Sequence, residues 1–165
     1  MKSTFLLLLS ILVVFSSLTA ELKVMKKHGF FARDSRFIVS ISSQVGEKHT
    51  LSDSQIENAF KRAFYEKVTA LKQNEVKNDD IVFTDSATFR DVMINVTIKN
   101  IHFYSKTVMF DVDYTIASDG RSFSDFALYT SDMENSTLPY AEKMASYLSI
   151  GAKRFVDDFF TAFIR

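Results

Sequence analysis

The chain has no cysteine, a single proline and only four glycines in 165 residues. Without cysteine there is no disulfide framework, on which small exported domains of eukaryotes often rely, so an exported chain of this kind fits a bacterial periplasm better. Pro139 alone and the sparse glycines leave little room for disordered or low-complexity tracts, and no internal repeat is visible. Charge of one sign is also missing: 20 basic residues face 20 acidic ones, which argues against nucleic acid as the main partner. Long hydrophobic runs are short as well. Phe5 to Phe15, broken only by Ser10, spans about 16 Å as a helix, well below a ~30 Å hydrocarbon core.

That run has a different meaning. Lys2 precedes it and the small-residue tail Ser16-Ser17-Leu18-Thr19-Ala20 follows, which is the pattern of a removable export signal over residues 1–20. Cleavage after Ala20 leaves 145 residues and, with Lys2 gone, a net charge of −1. Glu21 stands where a bacterial lipoprotein carries cysteine, so no lipid anchor is expected. The mature chain is therefore expected to be periplasmic, with secretion as the alternative.

What is abundant is phenylalanine, 17 in all, with six tyrosines. Residues 21–35 form an irregular N-terminal segment, and 36–165 read as one α+β domain. Phe37, Val39 and Ile41 alternate with Ile38, Ser40 and Ser42, a strand. Ser52 and Gln55 spell a capping box, and Ile56, Ala59, Phe60, Ala63, Phe64, Val68 and Leu71 share one helical stripe. Ile81 to Phe83 can add a short strand. From Val92 onward strands follow one another, with a bulge expected near Lys99-Asn100, a tight turn at Ser105-Lys106 and a hairpin at Asp119-Gly120. The return strand is read through Phe123, Phe126 and Leu128, with one phase slip.

Thr137 as cap and Pro139 in the first turn open a long helix with the stripe Ala141, Met144, Ala145, Leu148, Ala152, Phe155, Val156, Phe159 and Phe163. Gly151 in that stripe permits close approach to the sheet or to the first helix. The expected fold is an antiparallel meander of about four to five strands with two helices on one face, in the order β-α-(β)-β-β-β-α.

This order, the export signal and the meander Val92 to Thr130 closed by a terminal helix resemble the small envelope α/β domains of Gram-negative bacteria. Among them are the LPS-assembly lipoprotein of the outer membrane, the N-terminal domain of the translocation protein TolB and several uncharacterised periplasmic lipoprotein families. The resemblance covers about Arg36 to Arg165, is architectural and carries no diagnostic motif. It implies a binding or assembly module of the envelope, not an enzyme.

Motifs for catalysis are lacking: there is no Gly-x-Ser-x-Gly elbow, no phosphate-cradling loop and no His pair at metal spacing among His28, His49 and His102. No cofactor is expected. Asp111, Asp113 and Asp125 could hold a hard cation, but a solvated sheet face explains them better. Two features invite a functional reading. Lys26, Lys27 and Arg33 flank Phe30 and Phe31, and adjacent aromatics cannot both face the core from one strand. These five residues are the candidate partner-binding patch, for an envelope protein or an anionic lipid surface, against the plainer reading of an N-terminal strand that completes the sheet. The second feature is the convergence of Phe60, Phe64, Phe110, Tyr114, Phe155, Phe159 and Phe160. It reads first as a packed core and second as a pocket for a small apolar ligand under the terminal helix.

Overall fold

A computed structural model describes residues 29–45, 51–73, 77, 80–84, 91–103, 107–132 and 139–165. The export signal, Lys26, Lys27, Thr137 and the Ser105-Lys106 turn lie outside them. Strand β1 (Phe37–Ser43) leads to helix α1 (Asp53–Leu71), followed by β2 (Ile81–Val82), β3 (Val92–Phe103), β4 (Thr107–Ser118), β5 (Arg121–Asp132) and helix α2 (Tyr140–Phe163). The capping box forms as the sequence spells it: Gln55 N–H donates to Ser52 Oγ at 3.3 Å, and Ser52 N–H donates to Gln55 Oε1 at 2.9 Å. Pro139 itself takes the cap position of α2, where its fixed φ of −53° is compatible and its carbonyl accepts from Lys143 N–H at 2.9 Å.

The sheet runs β2-β1-β3-β4-β5 and is mixed, which corrects the antiparallel meander expected for the whole of it. β1 lies parallel to β3, from Phe37 opposite Val92 to Ser43 opposite Ile98, and parallel to β2. Alternation in sequence identifies a strand but not its direction. The helix between β1 and β3 supplies the crossover that parallel neighbours need. β3, β4 and β5 do form the antiparallel part. The bulge is present: pairing skips from Lys99–Asp111 to His102–Met109, and Asn100 takes a left-handed φ of 49°. The phase slip in β5 is absent. β5 pairs with β4 without interruption from Ser118–Arg121 to Thr107–Asp132, so Phe123, Ala127 and Tyr129 face the core while Phe126 and Leu128 take the opposite face.

Both helices cover one face of the sheet, α1 against β1, α2 against β4 and β5, and each other. Phe60, Phe64, Phe110, Tyr114, Phe155, Phe159 and Phe160 meet there as the sequence suggests, with Phe60–Phe110 centroids 5.6 Å apart and Tyr114–Phe159 5.5 Å. Edge-to-face geometry dominates these contacts, which suits the ring quadrupoles. The α2 stripe differs in detail. Ala141 and Ala145 are exposed, whereas Tyr147, Phe160 and Ala162 are buried, because α2 packs on α1 as well as on the sheet. Gly151 allows the close approach: a Cβ there would lie 2.5 Å from Phe110 Cε1.

Candidate functional site

The patch read from Lys26, Lys27, Phe30, Phe31 and Arg33 does not present its aromatic rings to solvent. Phe30 is 7% and Phe31 2% exposed. Gly29 adopts φ of 58°, and the two residues after it close onto the end of α2 instead of entering the sheet as a strand. Phe30 and Phe31 both donate N–H to the Phe163 carbonyl, at 2.6 and 3.2 Å, and Arg165 N–H returns to Phe31 O at 2.8 Å. These bonds satisfy a carbonyl that a helix end leaves open. The rings diverge from there. Phe30 packs on Phe163 and Phe123, and Phe31 on Phe37 and Phe160. Arg121 lies 4.8 Å over the Phe30 ring. Adjacent phenylalanines are forced to opposite sides only on a strand, and this segment, with one isolated bridge from Phe31 to Ile164, is not one. Of the patch's basic residues, Arg33 is exposed, and Lys26 and Lys27 are outside the described residues.

The surface that remains is the sheet face turned away from the helices. Its cross-strand rows follow from the register: Ser40, Asn95, Thr115 and Ser124 form one row, and Ser42, Thr97, Asp113 and Phe126 the next. Hydroxyls link neighbours along them, Thr115 to Ser124 at 2.8 Å and Ser42 to Thr97 at 3.2 Å. Lys99 pairs with Asp113, and the Asn100 amide donates to Asp111 at 2.8 Å. Phe126 ends its row at the sheet edge, 60% exposed. A shallow depression of about 510 Å³ lies among Asn95, Thr97, Asp113, Thr115, Ser124 and Phe126. Sequence reasoning missed this face because the assumed phase slip turned Phe126 and Leu128 inward.

The three acids do not converge on a cation. Asp111 and Asp113 belong to the open face, while Asp125 sits opposite Tyr114 on the core-side phase and accepts the N–H of Phe126 at 2.9 Å. Among the described residues no group of three acidic or histidine side chains could hold a metal ion. His102 is exposed opposite Met109. Asp157 pairs with Lys67 at 2.6 Å, and Asp158 accepts from Tyr129 hydroxyl at 3.0 Å. Lys72 reaches Asp80 at 2.7 Å and, with the Lys77 N–H, holds that carboxyl below its ordinary value. Burial, and secondarily Asp125, pushes the Tyr114 phenol up to about 12. Burial followed by the Asp158 charge raises that of Tyr129 still more. These shifts belong to a packed interior and tie helix to sheet. Among the described residues no nucleophile, base and orienting partner stand together.

No protein-family model matches the chain, and no curated protein sequence does. Solved structures do resemble it. An uncharacterised protein superposes with a TM-score of 0.53 at 11% identity, over 81% of this chain and 97% of its own, which shows a shared fold. The PelC dodecamer from Paraburkholderia phytofirmans gives 0.49 at 8% identity, over 80% and 94%. A hypothetical protein from Chlamydia trachomatis gives 0.47 at 4% identity, over 78% and 98%. The sheet order and the shared fold of the 0.53 match define the class, a small α+β domain with two helices on one side of a mixed five-stranded sheet.

Proposed function

We propose that the chain is an exported, non-catalytic module of the bacterial cell envelope that acts by binding another protein or an assembly in the periplasm. The observation that carries this is the division of labour in the sheet. One face is consumed by the aromatic core, and the other keeps polar rows and an exposed phenylalanine with no helix among the described residues over them. Export rests on the pattern of Lys2, Phe5 to Phe15 and Ala20. The likeness to the LPS-assembly lipoprotein and the TolB domain rests on the order of elements and adds an envelope setting. Among the described residues no helix is long and apolar enough to cross a membrane.

The alternative of an apolar-ligand carrier asks for space between α2 and the sheet. There Tyr114, Tyr129, Phe155, Phe159 and Phe163 stand ring to ring at 4.8–6.0 Å, so the packed reading is the better supported. The test is photo-crosslinking in the native envelope, with a reactive side chain placed in turn at Ser124 on the sheet and at Tyr65 on α1. A reproducible protein adduct supports the module. Absence of adducts from every face overturns it.

A further inference from the structure

The two edges of the sheet are unlike. One is β2, two residues long; the other is β5, with twelve. Long edges are usually blunted by lysine, proline, a bulge or an inward-pointing charge; β5 has no lysine, proline or bulge, and Asp125 in its middle is a charge on the core-side phase. Its backbone polarity follows from the hairpin. Asp119 and Gly120 have φ of 51° and 71°, a two-residue primed turn that closes on Ser118 and Arg121 as a hydrogen-bonded pair. Alternation along an antiparallel pair then aims the N–H and C=O of Phe123, Asp125 and Ala127 at β4, and those of Ser122, Ser124, Phe126 and Leu128 outward. The Phe126 N–H fits this parity: it donates to the Asp125 carboxylate at 2.9 Å.

Charge selects the occupant. Asp111 and Asp113 on the open face and Asp125 at the edge are three carboxylates, against the Lys99 ammonium, which pairs with Asp113, and the Arg121 guanidinium at the start of β5, which lies over the Phe30 ring. Two copies joined edge to edge would bring these acidic groups together. Lysine or arginine side chains from another chain would complement them and could lie over the exposed Phe126 ring. We infer that the β5 edge accepts an extended basic segment of a partner protein as a sixth strand. Main-chain bonds to Ser124 and Leu128 supply affinity, and alternate basic side chains over Asp113 and Phe126 supply selectivity. This rests on the reading of the chain as a binding module and gives that module its partner chemistry.

The test uses the mature chain and two synthetic probes, an acetylated and amidated Lys-Val octapeptide and its Glu-Val counterpart. The Lys peptide should bind, slow amide exchange at Ser124 and Leu128, and weaken as salt is raised. Ser124→Pro removes one outward donor at an edge position that proline tolerates, and should weaken binding by about tenfold. Phe126→Ala, which touches no backbone bond, should weaken it as well. Equal affinity for the Glu peptide, exchange protection on the helices instead of β5, or self-association abolished by Ser124→Pro would each overturn the inference. Failure of the peptide with native crosslinks retained from Tyr65 removes β5 and leaves the module standing. Loss of all native crosslinks removes the module itself.

Discussion

At Gly151 the backbone of α2 lies directly on the Phe110 ring of the sheet, and its missing side chain is a condition of that approach. Alanine there would gain about 1 kcal/mol in helix propensity. Its Cβ would press to 2.5 Å from Phe110, a ring buried against Phe60 and Tyr129 that has little room to yield. Overpacking of this kind costs about 1–3 kcal/mol, so Gly151→Ala should be net destabilising by about 1 kcal/mol in denaturant melts. Stabilisation would show that the helix can shift. Phe64 and Phe159 are both fully buried and 6.1 Å apart. Changing either to Ala should cost about 3–5 kcal/mol, and losses below about 1 kcal/mol at both would contradict their placement in the core. These residues were legible in the sequence because a helix presents its buried stripe at a fixed period. Phe126 was not. Phe126 and Leu128 also keep a period of two with each other, and nothing in the pattern says which phase of an edge strand turns inward.

At the scale of elements, the N-terminal segment and the end of α2 form one structural unit. Two N–H groups from Phe30 and Phe31 converge on the Phe163 carbonyl, and Arg165 Nε donates to Gly29 O at 3.0 Å. The double change Phe30→Ala with Phe31→Ser would empty both satellite sites around Phe163 and Phe160. It should therefore lower the melting temperature by several degrees, as a loss of about 3 kcal/mol or more implies for a domain of this size. Association measured on molecules that remain folded should be unchanged. A binding loss without a melting loss would return the pair to the partner surface. The sequence supplied the strands, the capping box and the bulge because each has a local signature. The parallel pairing of β1 and the clamp at Gly29 are set by where distant segments meet, so no local pattern carried them.

For the whole molecule, Tyr114 and Tyr129 couple the fold to alkaline pH. Each hydroxyl belongs to a side chain only 3% exposed, and each phenol is raised above 10 chiefly by burial. A raised value means that the folded state holds its proton where the unfolded chain releases it. Their contribution is complete below pH 10, the unfolded value, and is lost progressively above it. For Tyr114 the loss runs to about 12, and for Tyr129 it continues beyond. Each tyrosine approaches a loss of about 1.4 kcal/mol per pH unit in that window, and because the unfolded phenol is half-ionised at pH 10 the pair should remove roughly 2 kcal/mol between pH 10 and 11. Denaturant melts at pH 9, 10 and 11 measure the slope directly. Tyr114→Phe combined with Tyr129→Phe should flatten it. The double variant also loses the bond from Tyr129 to Asp158, so it should start from a lower stability at neutral pH. A wild-type curve already flat from pH 9 to 11 would mean that these hydroxyls reach water, and that the aromatic layer between α2 and the sheet is looser than its ring spacings indicate.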